Sequence, residues 1–543
     1  MRKYLKLNGL TLSLLIIMIF IIFKFVMEMG WAKLEFLDMV EMKAMDEKFV
    51  ARGKVDPGDH VVIVAADEKS MAMFGQWPWP RRTFAELLDR FEVYGSKVVG
   101  FDAFFPERDT FDQTCDKIFA SIERSEGAEK SKSLRMAMDP VYGCGMNDRR
   151  FGESLKINTN AVEGYFFFNK AEEIKNLDKA EYMAGESTVR PSALKIVQTG
   201  PNVPIQIMKM VGVQPNIPEI SEGSERMGYV NQIPDKDGLY RSIPLVVRFG
   251  DNYYPSLALS MLRTAKDSPI KLEIGTKKLM EEAKTIKLSV GDSDIPVNET
   301  TSFLINYYGP GQTFKYYSAV DVWSGEVGEK ELKNRIVLFG ATTIGIYDIR
   351  PTPFDSLCPG VEIHANVIQN ILSNDYITRP EALVGGEFGI MLVLGILFGL
   401  ALTYLKLQYG VFAVLVVMAG YSFADFHLFF LNGMYSKTIL TYVMAFTLLI
   451  GVSVFRYFTE EREKGKIRKV FSTYMSKNVV EMVLKDTHKL QLGGVKKNLT
   501  VFFSDIRGFT TISEKLTPEK LVHLLNSYLS PMTNIIIEDY NGT

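Results

Sequence analysis

Residues 61–91 read VVIVAADEKSMAMFGQWPWPRRTFAELLDRF. The run 61–65 is apolar and β-branched without interruption, the pattern of a strand buried on both faces, and Asp67 stands where such a strand would end. Residues 82–91 then carry apolar positions at helical spacing, as a helix covering a sheet does. The same reading repeats outward from this stretch. Residues 97–100 form a second buried run followed by Asp102, residues 335–339 a third closed by Gly340, and residues 363–372 suit another helix. Alternation of this kind across residues 60–366 predicts an α/β domain, with a natural crevice at the strand ends and the loops beyond them.

Several polar residues fall at or near those ends and turns: Asp67, Asp102, Arg81, Arg82, Asp348, Asp355, Glu362 and His364. They are candidates for a shared polar crevice. Asp and Arg in such places also cap helices and tie loops together, which is the more economical reading. His364 suits an ordinary histidine on a helix face better than a metal ligand. Asp235 and Asp237 flank Lys236 before Gly238 and read as a hairpin turn.

A chain of 543 residues is too long for one core, so several domains are expected. The formal net charge of −2 gives no case for a nucleic-acid partner. Four apolar runs stand out. The first covers residues 7–23 without a charge, then passes Lys24 and reaches Met27, with Arg2, Lys3 and Lys6 before it. No small-residue cleavage motif comes after it, so it reads as a retained signal anchor. The others are 388–405, 407–424 and 438–455, each long enough to cross most of a bilayer core of roughly 30 Å. Arg456, Arg462, Lys464, Lys466, Arg468 and Lys469 lie just past the last run and match the basic amino end. Both termini are therefore expected in the cytoplasm, with residues 28 to about 385 outside, although Lys437 runs against the trend. Asp425 and His427 fall near the outer end of the third run, where an interfacial position is available to them. Four spans without a repeated core or a coordinated ion path give little support to solute transport.

Three cysteines exclude a disulfide-dense framework. Cys115 and Cys144 share one insertion and could pair if the compartment is oxidising, which would add roughly 2–4 kcal/mol. Two separate thiols are the alternative. Cys358 has no evident mate.

The opening stretch, together with VVGFDAFFPE (98–107), GYVNQIPDKDGLYRSIPLVV (228–247), YPSLAL (254–259), INYYGP (305–310), RIVLFGATTIGIYD (335–348) and TPFDSLCPGVEIHANVIQNIL (352–372), resembles the CHASE2 extracellular sensor domain, in the expected order. The resemblance spans nearly all of residues 30–380. It implies a domain that senses an unknown extracytoplasmic stimulus, not an enzyme.

After the last apolar run, RYFTEEREKGKIRKVFSTYMSKNVVEMVLKD (456–486) suits a solvent-faced helix whose later apolar positions, among them Val470, Phe471, Tyr474 and Val479, give it a packing face. It resembles the connector that precedes class III cyclase domains. Residues 499–503 read as a strand ending at Asp505, with Gly508 in the turn beyond. Thr517 is placed as an N-cap, with Pro518 at the first helical position and Leu521, Val522, Leu524, Leu525, Tyr528 and Leu529 forming an apolar face. As a run, VFFSDIRGFTTISEKLTPEKLVHLLNSYL (501–529) closely resembles the opening of a class III adenylate/guanylate cyclase domain.

That resemblance implies that Asp505 is one of two metal-binding aspartates and that the Ile506 carbonyl contributes to the second ion position. The turn through Gly508, Phe509 and Thr510 would lie against the triphosphate. It further implies two Mg²⁺ ions (or Mn²⁺ in their place), ATP as substrate, cyclic AMP and pyrophosphate as products, and a homodimer. Adenylate is favoured over guanylate because the sensor–membrane–cyclase order resembles that of bacterial adenylate cyclases. The chain stops at Asn541-Gly542-Thr543, before the second metal aspartate, the base-selecting residues and the completing Asn/Arg pair of such a domain. The expectation is that this chain alone lacks turnover while a longer parent is the enzyme. The alternatives are a guanylate cyclase, or a sensor and dimerisation receptor with a degenerate cyclase-like output.

The expected architecture is thus an α/β extracytoplasmic sensor, a four-helix transmembrane anchor, a helical transmitter and a partial α+β cyclase domain. Its divisions are a cytoplasmic N-terminus (1–6), a first span (7–27), the sensor (28–384), spans at 385–405, 407–430 and 438–455, the transmitter (456–494) and the partial cyclase domain (495–543). The expected setting is multi-pass in the cell inner membrane or plasma membrane, with membrane lipid as a partner and no nucleic acid.

Overall fold

The computed structural model describes residues 8–142, 146–175, 185–199, 206–221, 226–276, 284–343, 349–471, 498, 500–540 and 542. The chain divides into two compact units. One holds residues 23–391 and 417–442, the other residues 1–22, 392–416 and 443–543.

A mostly parallel sheet organises the first unit. Its strands are β1 (Val61–Ala66), β2 (Val98–Phe101), β3 (Ala161–Phe168), β4 (Gly212–Gln214), β5 (Met227–Tyr229), β6 (Lys315–Ser318) and β7 (Ile336–Ala341). The order is β6-β1-β7-β2-β3-β4, with β5 also paired to β3. Strand β7 pairs in parallel with β1 (Val61 opposite Ile336) and with β2 (Ile336 opposite Val98), so it lies between the first two strands of the chain. Every residue of β1 is buried, as an unbroken apolar run requires when both faces of a sheet are covered. Val61, Ile63, Val98 and Leu338 pack under the helices Leu257–Lys266 and Gly360–Ser373. Val62, Val64, Val99 and Phe339 pack on the other face against Phe84, Leu87, Leu88 and Phe91 of the helix Arg81–Val93. The strands and helices expected in this unit are therefore present, within three residues at each end.

The amphipathic helix Glu35–Arg52 lies in the same unit, with Met45 and Phe49 in the sheet's first core beside Phe430 and Tyr435. Cys115 on the helix Thr110–Glu126 is disulfide-bonded, and Cys358 is a free, buried thiol. Cys144, the mate expected from sequence, lies outside the described residues.

Among the described residues, four helices are long and apolar enough to cross a membrane: Gly9–Glu28, Glu381–Tyr404, Leu407–Asn432 and Ile439–Thr459. The third ends in a wide turn, Asp425–Phe429, and a tight one, Phe430–Asn432. In the second unit the first two of these helices approach closely. A Cβ on Gly395 would stand 2.8 Å from Ile17 Cγ1, and one on Gly399 would stand 2.8 Å from Ser13 Cβ. Small residues four apart permit this contact between apolar helices. The fourth does not stop at the expected boundary but continues without a break as a 33-residue helix, Ile439–Phe471. The rest of the expected transmitter, 472–494, lies outside the described residues.

One expectation from sequence is corrected at the carboxyl end. Residues 500–506 form no strand, and Val501, Phe502 and Phe503 are 68%, 60% and 88% exposed. An apolar run becomes a strand only when a neighbouring strand takes its hydrogen bonds, and none of the described residues does so here. The helices beyond it form as expected. Phe509–Lys515 starts after Gly508, and Pro518–Asn534 starts with Thr517 at its N-cap, although the Thr517 side chain makes no capping bond.

Candidate functional site

Two places carry the residues singled out in the sequence as site candidates, and a third region joins residues that were not read as a unit. The first is a crevice of about 590 Å³ at the carboxyl edge of the main sheet. Open parallel sheets form such crevices because the loops leaving adjacent strands diverge there. Asp102 enters it from the end of β2, Phe166 and Asn169 from the end of β3, Ala341 from β7, and Val230 to Ile233 from the chain after β5. Arg350, Gly360 and Val361 close the opposite side, and Trp77, Phe104 and Phe105 supply an aromatic wall.

Asp102 and His364 come together behind this opening. His364 Nε2 lies 3.8 Å from Asp102 Oδ1, the ring fully buried and the carboxylate 17% exposed. Burial pushes the Asp102 carboxyl up to about 7, against the pull of Arg350. Burial likewise pulls the His364 imidazole down to about 4, with the Val230 backbone acting in the opposite sense. Both groups are thereby shifted toward their neutral forms. No cluster of three or more metal-ligating side chains occurs among the described residues.

Most of the other candidates do the structural work of caps and ties. Asp67 is the N-cap of the helix Glu68–Phe74, accepting from Ser70 N (2.9 Å), Ser70 Oγ (2.7 Å) and Ser318 Oγ (2.7 Å). Arg82 pairs with Glu86 on the surface (2.7 Å). Arg81 is buried, donating to the carbonyls of Trp79 and Glu107 and lying over the Phe105 ring. Asp355 accepts from Leu357 N in a turn. Glu362 holds the loop before β6 through Gln312 N, Thr313 N and the Tyr316 hydroxyl. Asp348 lies outside the described residues.

A second set was not singled out as a unit in the sequence. Buried Arg241 donates to Asp46 (2.7 and 2.8 Å), Asp237 (2.8 and 2.9 Å) and Asp235 (3.1 Å), tying the 35–52 helix to the predicted hairpin turn. Burial opposes the guanidinium charge, yet the Asp46 and Asp237 hydrogen bonds outweigh it and raise its pKa. Another part of the same helix meets the ends of the apolar helices. Glu41 accepts from the backbone N–H groups of Thr438 (2.8 Å) and Ile439 (2.9 Å), and Lys48 pairs with Asp425 at 2.5 Å. Lys24 meets Glu387 at 2.7 Å, and Arg379 bonds both Glu28 and Glu387. Lys437, the exception in the charge pattern, is paired with Asp38 at 3.2 Å. Charges inside or beside apolar runs were the available signal, because such groups persist only when partnered. Most of their partners lie hundreds of positions away, as for Lys24 with Glu387 and Lys437 with Asp38.

The remaining place is the turn after residue 504. Asp505 is exposed, and its Oδ1 accepts from Ile506 N at 2.8 Å. The Ile506 carbonyl accepts from Phe509 N at 3.1 Å. Gly508 sits at φ +74°, a backbone region that favours glycine, and begins the helix carrying Phe509 and Thr510. The five residues named from sequence thus occupy one exposed turn. The apolar face of the next helix is not buried among the described residues.

Comparison with known proteins gives two family matches. The model of the CHASE2 domain matches residues 15–404, and that of the adenylate and guanylate cyclase catalytic domain matches residues 494–541. No curated protein and no solved structure matches the chain. With well over half of its length matched by the first model, the chain belongs to the CHASE2 domain family, and it carries part of a class III cyclase catalytic domain at its carboxyl end.

Proposed function

We propose that the chain is the sensing, membrane and opening catalytic portion of a signal-regulated class III cyclase that converts ATP to 3′,5′-cyclic AMP and pyrophosphate. The observation that carries the reading is the turn 505–510, which gathers an exposed carboxylate, a backbone carbonyl and a glycine-led helix start within the cyclase match. The donors are hard oxygens, which fit Mg²⁺ or Mn²⁺. Asp505 and the Ile506 carbonyl would hold the ions, although one carboxylate does not complete a two-ion site. Two such ions activate the 3′-oxygen and neutralise phosphate charge in this chemistry. The ribose 3′-oxygen forms a bond to the α-phosphorus, the bond from that phosphorus to the β-phosphate oxygen breaks, and the 3′-hydroxyl proton leaves to a base or water. Gly508, with no side chain, lets a phosphate oxygen approach the backbone, and Phe509 and Thr510 position the chain around it. The order of sensor, spans and cyclase part favours ATP over GTP, a homodimer as the working unit, and an extracytoplasmic sensor on a multi-pass protein.

The test is direct measurement of cyclic nucleotide and pyrophosphate from ATP and from GTP, in a protein carrying the complete cyclase domain. ATP should be the better substrate. Turnover with GTP alone would assign a guanylate cyclase, and turnover with neither would assign a receptor with a cyclase-like output.

A further inference from the structure

The Arg241 network borders a cavity of about 840 Å³, within the range of small-ligand sites. Its walls come from segments far apart in the chain. Met39 and Met42 line it from the helix Glu35–Arg52, Pro296 and Val297 from the chain after residue 295, and Ile377 from the chain leading into Glu381–Tyr404. Tyr435, between the third and fourth apolar helices, lines it as well, and its N–H donates to the Thr378 carbonyl at 2.8 Å. These walls are largely apolar, and methionine adapts its shape to what it meets. The charged groups around the cavity are mostly paired already. Asp46, Asp235 and Asp237 take all five N–H donors of Arg241. Arg379 is held by Glu28 and Glu387, Asp38 by Lys437, and Glu35 by Lys236. Lys33 also lines the cavity but is exposed, so water serves its charge. Tyr435 differs. Only 6% of it is exposed, and its hydroxyl meets no hydrogen-bond partner among the described residues. Buried hydroxyls are nearly always partnered, so this one calls for an explanation.

We propose that this cavity binds an uncharged, largely apolar small molecule carrying one hydrogen-bond acceptor such as a ketone, the acceptor on the Tyr435 hydroxyl and the apolar body against Met39 and Met42. A charged ligand would have to break one of the existing ion pairs or stay unpaired against an apolar wall. A pure hydrocarbon would leave the hydroxyl without a partner. A molecule with one acceptor meets both conditions. Once bound, it touches the helix that follows the first apolar helix and the segments that lead into the second and the fourth. This goes beyond the cyclase reading and does not depend on it, because binding is read directly on the cavity.

Benzophenone is the probe, being uncharged and apolar with one carbonyl, and on irradiation it bonds to nearby C–H groups, those of methionine above all. The full chain in lipid nanodiscs is irradiated with it and mapped by peptide, with concentrations corrected for uptake by empty nanodiscs. Met39 and Met42 should be labelled saturably and well above the exposed Met73 and Met136. The para-carboxylate and para-aminomethyl derivatives should need tenfold higher concentrations or more. Tyr435→Phe, which removes only the unpartnered hydroxyl, should melt no lower than the parent and raise the half-saturating concentration of benzophenone about fivefold. Competition by diphenylmethane, which has no acceptor, should be the same in both proteins. Met39→Trp, at an exposed position and mild for folding, should fill the cavity and remove the labelling of Met42. The proposal is overturned if Met39 and Met42 are labelled no more than Met73 and Met136, or if the carboxylate saturates as readily as the ketone, which would assign an anion site at Lys33. It is equally overturned if Tyr435→Phe binds benzophenone like the parent, or melts below it, which would give the hydroxyl a partner within the fold.

Discussion

Asp102 and His364 give the sheet's edge opposing responses to pH. The folded carboxyl lies near 7 against an ordinary 3.8, so its contribution favours folding below about pH 4 and is lost as pH rises toward 7. The folded imidazole lies near 4 against 6.5, so its contribution is full above pH 6.5 and is lost as pH falls toward 4. Each amounts to roughly 3–5 kcal/mol, and in the parent the two slopes largely cancel between pH 4 and 6.5. Asp102→Asn should therefore melt higher than the parent at pH 8 and lose stability between pH 6.5 and 4. A flat profile for that variant would contradict the assignment. At the other end of the chain, Asp505→Asn should reduce Mg²⁺-dependent turnover of the complete enzyme on the order of 100-fold or more, since even outer-shell partners of metal ligands cost 10–100-fold. Near-parental turnover would remove Asp505 from the metal site. Asp102 was visible in the sequence because an acid stands just past a buried strand. Its pairing with His364 was not, because nothing local to residue 102 or 364 says which strand end faces which helix.

The elements were read more easily than their partners. The runs beginning at 61, 97 and 335 read as buried strands because they are short, rich in Val and Ile, and leave no polar face in their interior. Of the strand expected at 499–503, the described residues 500–503 form none, because a strand needs a second segment to take its hydrogen bonds. The 35–52 helix went unread because its acids, Glu41 and Asp46, look like a solvated face until Thr438 and Arg241 are brought beside them. Glu41→Ala would leave two buried N–H groups at the start of the last apolar helix unsatisfied, so a loss of about 1–3 kcal/mol is expected in thermal melting. Gly399→Leu should disrupt the close approach to Ser13 and lower the melting temperature further than Leu400→Ala at an exposed neighbouring site. The helix Ile439–Phe471 extends about 50 Å, well past a bilayer core of roughly 30 Å. If it carries the signal as a rigid rod, inserting two residues after Thr459 rotates the rest of the helix by about 200° and should abolish regulation. Inserting four rotates it by only about 40° and should largely preserve regulation. Equal behaviour of the two insertions would argue against a rod.

For the whole molecule, the four apolar runs and the flanking basic residues favour a sensor on one side of the membrane and residue 466 on the other. Epitopes inserted near Asp109 and near Lys466 should therefore label from opposite sides of intact cells. Labelling from the same side would overturn the arrangement. The layer plan of the sensor was legible, because buried strands alternating with amphipathic helices leave few other solutions. The strand order was not. Periodicity locates β7 but carries no trace of its place between β1 and β2, which depends on how a long intervening chain returns to the sheet.

That placement makes time part of the design. Residues 61 and 336 are neighbours in space but roughly 275 positions apart in the chain, so the middle of the sheet is the last part to be supplied during synthesis. With translation at roughly 5–20 residues per second, β1 and β2 wait tens of seconds with a gap between them. Over that interval the facing edges of β1 and β2 are open to the wrong partner, and a ribosome that stalls before residue 336 leaves two part-sheets, β6-β1 and β2-β3 with its neighbours, without the strand that joins them. Quality control at the membrane would meet this protein as two halves of a sheet, joined only when the strand between them arrives.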